Sequence, residues 1–358
     1  MFRFIVRRLL LLLPAALGIL AVTFVLVRLI PGDPCKAMLG ERATEEKCQA
    51  FRVRFGLDEA IPIQFVRYLS NLLQGDLGNS IKNGRPVADV IAERLPMTME
   101  LTFFAMLFAV SFGIILGVIS AAQHNTAIDV GAMVFANIGV STPVFWLGLM
   151  LAYVFALALK DTPFQLPPSG RLTAGTDLQS LLKVWGLEDA QGLRRFVLLL
   201  LSNSVLLNSL IQGRFDIFLD ALRHLVLPSV AVGTISLAVI ARMTRGAMLD
   251  ALTQDYIRVA RAKGLIERAV LFKHALRNAL VPVVTIIGLQ TGGLLSGAVL
   301  TETVFNLPGV GTQIVDAIIA RDYPVVQAFT LLIAVIFVLV NLIVDISYAY
   351  LDPRIRMN

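Results

Sequence analysis

Charge is what the longest stretches of this chain lack. Five apolar runs, Leu101–Ala122, Val130–Leu159, Leu225–Ala241, Asn278–Thr301 and Val325–Val344, contain no Asp, Glu, Lys or Arg. A sixth, Leu9–Ile30, holds only Arg28, near its end. Together with 57% hydrophobic and 16% charged residues and a mean hydropathy of +0.77, this excludes an ordinary soluble globular domain. A bilayer core of about 30 Å is crossed by about 20 helical residues. The runs therefore read as six transmembrane helices, and the fold class as an all-α polytopic membrane protein.

Other absences narrow the chemistry. The dipeptide Gly-Lys never occurs, so the chain has no glycine-rich loop to cradle nucleotide phosphates. His124, His224 and His274 are scattered without ligand spacing, which argues against a metal site. The acids inside the runs' neighbourhood, Glu100 and Asp345, sit near span ends. Carriers driven by protons or sodium usually place carboxylates or broken helices at mid-membrane. No catalytic constellation is visible. The two cysteines, Cys35 and Cys48, share the first loop. In an oxidising compartment they could bridge; the alternative is two unpaired cysteines.

Orientation comes from the short flanks. Arg3, Arg7 and Arg8 precede the first run, and Arg354 and Arg356 follow the last. Both ends then read as cytoplasmic, which an even number of spans satisfies. The first run is too long for a signal-peptide core and reads as a retained span. Pro31–Pro96 carries nine Lys and Arg, but long translocated loops largely escape the charge rule. Phe196–Ile211 is apolar yet broken by Ser202, Asn203, Ser204, Asn208 and Ser209. Arg195, Ser202 and Ser209 repeat every seven residues, one helical face. We read 177–223 as an extracytoplasmic insertion whose amphipathic helix lies on the membrane surface or on the protein. Residues 1–96 then hold the first span and first outer loop, 97–350 the transmembrane core, and 351–358 a tail. Within the core, about 160–223 is the outer insertion and about 246–277 a cytoplasmic loop.

That cytoplasmic loop is much longer than a chain reversal needs. It has helical spacing on both sides of Gly264 and carries Arg258, Arg261, Lys263, Arg268, Lys273 and Arg277. Gly264 takes positive φ without the usual penalty, which suits a helix–glycine–helix elbow. Tyr256 offers an aromatic anchor, while Ala260 and Ala262 keep the surface low. Two polar stretches interrupt the spans: Ser141-Thr142-Pro143 in the third and Gln290-Thr291-Gly292-Gly293 in the fifth. Small residues there let helices pack closely; alternatively they line a water-filled path. Pro228 and Pro282 stand near the starts of their runs, where a first helical turn tolerates proline.

The run Asp255-Tyr256-Ile257-Arg258-Val259-Ala260-Arg261-Ala262-Lys263-Gly264-Leu265, followed by His274-Ala275-Leu276-Arg277-Asn278-Ala279-Leu280-Val281-Pro282, resembles the cytoplasmic loop of ABC-importer permeases. The narrower likeness is to the dipeptide/oligopeptide/nickel permease family. It is carried by Pro31-Gly32-Asp33-Pro34, Gln74-Gly75-Asp76-Leu77-Gly78, Thr301-Glu302-Thr303-Val304-Phe305-Asn306-Leu307-Pro308-Gly309-Val310-Gly311 and Arg321-Asp322-Tyr323-Pro324. The insertion 177–223 is longer than the shortest members carry.

The resemblance implies an ABC importer permease fold with large extracytoplasmic loops, in a bacterial inner membrane. Its partners would be a second homologous permease in a heterodimer, two ATP-binding subunits and an extracytoplasmic solute-binding protein, besides membrane lipid; nucleic acid plays no part. ATP and Mg would sit on the partner subunits, with no cofactor on this chain. Asp255–Leu265 would be the helix that couples to an ATP-binding subunit. Di- or oligopeptides are the implied substrate; nickel complexes, glutathione and oligosaccharides are the competitors. A secondary transporter, or a membrane-anchored receptor or assembly factor, is the reading from another class.

Overall fold

The computed structural model describes the backbone of residues 2–29, 35–36, 43–296 and 298–351. The Pro31-Gly32-Asp33-Pro34 motif and the tail arginines Arg354 and Arg356 lie outside the described residues. Among the described residues every regular element is helical, apart from a single antiparallel bridge between Asn79 and Pro86.

Most of each apolar run is helical. The first is α1 (Phe2–Leu29). Two short helices follow, α2 (Glu45–Phe55) and α3 (Ile61–Leu73). The second span lies in α4 (Val87–Ala122), and the third is split between α5 (Ala127–Ser141) and α6 (Val144–Ala152), the latter continuing as a π-helical stretch, Tyr153–Ala158. The insertion contributes α7 (Gly192–Asn203) and α8 (Val205–Ile211). The fourth span lies in α9 (Phe215–Leu252), and α10 (Asp255–Ala262) follows it. Then come α11 (Leu276–Leu295), short α12 (Val299–Val304), α13 (Val310–Ala320) and α14 (Tyr323–Leu351).

Four of these, α4, α9, α11 with its lead-in from Glu267, and α14, are each long and apolar enough to cross a membrane. The α5–α6 pair passes the same test but is bent by 100° at Thr142–Pro143. With α1 this makes six spans. The α7–α8 pair is apolar too, but it is bent by 92° at Ser204 and lies on the protein. Leu198 and Leu199 are buried against Ala92 at the start of α4, and Arg195 pairs with Asp89 of α4 at 3.0 Å.

The structure corrects four details of the sequence reading. Ser209 does not share a helical face with Arg195 and Ser202, because the chain turns at Ser204: Ser202 Oγ accepts from Leu181 N–H, whereas Ser209 Oγ donates to the Leu206 carbonyl. The fifth span ends at Leu295, short of Thr301, and α12 is a separate helix in which Thr301 and Glu302 are buried. Pro228 and Pro282 lie inside α9 and α11, beyond the first turn. The polar lead-in Phe215–His224 is helical as well, which puts Pro228 deep within α9. Finally, α4 has 36 residues and α9 has 38. At 1.5 Å per residue each extends about 25 Å beyond a core of about 30 Å.

The α4–α9 pair is the spine. A Cβ on Gly117 would stand 2.7 Å from the Ala241 carbonyl oxygen, so the two backbones touch, as membrane helices do where small residues meet. At one end of the spine, the cap end, residues 43–86, 159–223 and 298–322 gather. The other, the elbow end, carries the α4–α5 turn and α10.

Candidate functional site

At the elbow end, α10 starts after Gln254, whose extended backbone begins the turn, with Asp255 in the first turn and Arg261 in the last. Both charges complement the helix dipole. Ile257 and Ala260, three apart, are fully and 95% buried respectively, at 0% and 5% exposure. They join Val118, Ala121, Met248, Ala251, Val270 and Ala275 in one apolar cluster. The helix is thereby fastened to the ends of α4 and α9 and to the lead-in of α11. Burying Ile257 contributes about 2–3 kcal/mol to that attachment.

Lys263 ends α10, and Gly264 follows at φ +75°. No atom lies within 4 Å of where a Gly264 Cβ would stand, so the glycine is there for backbone conformation and not for space. Across it, Arg261 donates to both oxygens of Glu267, at 2.7 and 3.2 Å. That hydrogen bonding, more than the coulombic attraction, holds the Glu267 carboxyl below its ordinary range and raises the Arg261 guanidinium.

The elbow therefore has two faces. Ala260, read from sequence as part of the outer surface, points into the bundle. Tyr256, Arg258, Arg261, Ala262, Lys263 and Leu265 are exposed with Asp255, and so are Val259 and Ile266. An apolar strip edged by cations is left without a partner in the single chain. Behind it a cavity of about 650 Å³ opens between α9 and α11, with Tyr256 and Gln254 of the elbow region meeting Arg242, Asp250 and Asn278.

The polar stretches of the spans are placed differently from each other. Gln290 donates to Ser236 Oγ of α9 at 3.1 Å, and Thr291 Oγ1 donates back to the Ile287 carbonyl at 2.7 Å. Thr291 also edges a shallow apolar groove between α4 and α11. Gly292 meets the Phe337 ring, 3.0 Å from where its Cβ would be, while Gly293 faces open space. Ser141 and Pro143 are exposed and Thr142 is half-buried, all at the 100° bend. Cys35 and Cys48 form a disulfide, with Cα atoms 5.4 Å apart.

Sequence reasoning missed two polar anchors near these elements. At the elbow end, Arg245 of α9 grips both oxygens of Asp129 at 2.8 Å, with Ser120 donating to the same carboxylate. This ties the start of α5 to the end of α9. At the cap end, buried Glu302 accepts from Thr98 Oγ1 at 2.8 Å and from Thr312 N–H at 2.9 Å. A Cβ on Gly309 would collide with that carboxylate. The glycines of the Asn306–Gly311 stretch were the available signal: they leave room for an anion among backbone N–H groups at the start of α13. Burial, the dominant influence, pushes the Glu302 carboxyl up.

Residues 113–357 match the model of the family described as binding-protein-dependent transport system inner membrane component. Residues 1–102 match the N-terminal membrane component of the same transport systems. The chain belongs to this family. It is 46% identical over 357 residues to a di/tripeptide transport system permease protein of Pseudomonas aeruginosa, covering 99% of each chain. It is 43% identical to a dipeptide transport system permease protein of Alkalihalophilus pseudofirmus, covering 99% of this chain and 100% of the relative. A probable D,D-dipeptide transport system permease protein of Escherichia coli is 40% identical, covering 94% and 93%. The chain is thus a multi-pass inner membrane permease component. Both family matches run into α4, which is one unbroken helix.

Proposed function

We propose that this permease is a non-catalytic subunit of an ATP-driven importer, and that it forms the membrane pathway for di- and oligopeptides together with a second, homologous permease. One of two ATP-binding subunits, which carry ATP and Mg, docks on the elbow; a solute-binding protein delivers substrate at the cap end. The cap end then faces outward and both termini lie in the cytoplasm. The substrate follows the named relatives, which are di- and tripeptide permeases by their names.

The observation that carries this reading is the two-faced elbow. Its outward strip suits a groove on a partner, and Ile257 and Ala260 fasten the opposite side to α4 and α9. A push on the strip is passed to the spine, and through Arg245–Asp129 to α5. Closure of the ATP-binding subunits would thereby turn the cavity between the permeases outward, and hydrolysis would reset it. Ser141, Thr142, Pro143, Gln290, Thr291 and Gly293 would line the path, with Gly292 holding α11 to α14. Domain roles follow the same division: 1–96 as first span and outer loop, 97–350 as core, about 246–277 as coupling loop.

Uptake of a labelled dipeptide into proteoliposomes holding this chain, its partner permease, the ATP-binding subunits and the binding protein tests the reading. ATP-dependent uptake is expected, abolished when this chain alone is omitted. Uptake that proceeds without this chain, or without ATP, would contradict it. In intact cells, an impermeant thiol reagent should label cysteines placed at Arg85 and Thr176 but not one at Lys263.

A further inference from the structure

At the cap end, a cavity of about 440 Å³ lies between the end of α1, helix α3 and the start of α14. That is room for a small ligand, since ligand pockets typically span ~300–1,000 Å³. It is well away from the elbow, and two guanidiniums line it, Arg28 and Arg67, the latter already paired with Glu59. Arg28 enters from α1, with Nε donating to Gln64 Oε1 at 2.9 Å and Nη1 to the Phe24 carbonyl at 3.2 Å. Its guanidinium lies over the Phe24 ring at 3.3 Å and 5.6 Å from the Tyr323 ring centre. No carboxylate among the described residues pairs with it.

Two further polar groups on the same walls have nothing to bond. Gln327 of α14 is 3% exposed, and its Nε2 has no partner among the described residues. The Tyr68 hydroxyl of α3 is likewise buried and unpartnered. Burial pushes the Tyr68 phenol up to about 12, so it remains a neutral O–H donor. Asp76 is the one acid among the lining residues, and its Oδ1 already accepts from Gly78 N–H at 2.8 Å.

A half-buried cation without a counter-ion among the described residues and two idle buried donors are each costly, and an acceptor bound in the cavity offsets that cost at Arg28 and at each donor it reaches. A guanidinium is also the side chain whose fork best fits carboxylate or phosphate oxygens. We propose that this cavity is a binding site for a singly charged oxyanion group, a carboxylate or a phosphodiester, gripped by Arg28 with Tyr68 and Gln327 donating beside it. The apolar walls, Leu57, Leu77 and Pro324 among them, take the non-polar part of the same ligand. The group has two sources at a membrane surface: the headgroup of an anionic lipid, or the free end of a short peptide.

The test uses the full chain with its partner subunits in phosphatidylcholine nanodiscs, read by thermal unfolding and native mass spectrometry. Probes are phosphatidylglycerol doped into the disc, dialanine, and dialaninamide, which lacks the carboxylate. A rise in unfolding temperature with phosphatidylglycerol assigns the lipid source. A rise with dialanine but not dialaninamide assigns the peptide carboxylate. Tyr68→Phe and Gln327→Leu remove the two donors that have no internal partner, so both variants should fold, and each should bind the active probe about tenfold more weakly. The proposal is overturned if neither probe binds, or if both variants bind as wild type does.

Discussion

At the cap end, residues far apart in sequence are joined by buried carboxylates; at the elbow end, the exposed helix is fastened mainly by two apolar side chains. Asp322 accepts from Ser80 Oγ at 2.5 Å, Ile81 N–H at 2.9 Å and Lys82 N–H at 3.3 Å. Glu100 accepts from Arg171 and Ser204, both at 2.8 Å. Such anchors are directional and lose most of their value with small displacements. The elbow rests on Ile257 and Ala260, and its ion pairs are weakly shielded: Arg261–Glu267 is half-exposed and Arg258–Asp255 largely exposed. Apolar contacts are non-directional and allow small sliding at little cost. The contrast suits a part that must stay rigid for a docking protein and a part that must transmit movement.

The largest effect should come from breaking a cap anchor. Asp322→Ala would leave buried donors unmet at Ser80 and Ile81 and cost about 3–5 kcal/mol. Thermal unfolding of the purified complex measures this, and an unchanged midpoint would remove the claim that the cap is polar-locked. Next is the elbow's own anchor. Ile257→Ala should cost about 2–4 kcal/mol locally, with uptake falling while the cap-end disulfide and fold persist. Hydrogen exchange over Asp255–Gly264 should accelerate; exchange rising equally across α4 and α9 would mean the elbow is not a separate unit.

The smallest effect belongs to Glu267. Its folded carboxyl is depressed by Arg261, so the pair's stabilisation is fully present above the ordinary carboxylate pKa and is lost as pH falls through the lower folded value. Because both side chains are about half-exposed, Glu267→Gln should cost no more than about 1 kcal/mol at pH 7. The difference from wild type should shrink below about pH 4 and in high salt. A difference that grows on acidification would reverse the sign of the argument.

Much of the frame is legible in the sequence because it depends on local patterns. Uncharged runs mark the spans, and Gly264 marks the elbow's bend. Pro143 marks a break in the third span, although its 100° angle depends on tertiary packing. The start of α9 carries helical spacing, with Asp216, Asp220 and Arg223 four and three apart and buried Ile217, Ala221 and His224 beside them, but it lies outside the uncharged run that marks the span. Ala260 is misdirected for a different reason: α10 has apolar residues on two sides, and only packing on Met248 and Val118 shows which is inner. Beyond the glycines around Glu302, the cap network could not be read. Ser80 and Asp322 are 242 residues apart, and neither has a local pattern that names the other.

The central claim is that the elbow transmits movement because Gly264 fixes its bend. A valine there must adopt the left-handed region, which β-branched residues resist at a cost of about 1–3 kcal/mol. Asparagine visits that region readily. The decisive measurement is ATP hydrolysed per peptide imported by the reconstituted importer carrying Gly264→Val, with Gly264→Asn alongside at matched expression. The expected result is hydrolysis preserved and uptake reduced about tenfold in the valine variant, with the asparagine variant close to wild type. Wild-type uptake by Gly264→Val would contradict the account.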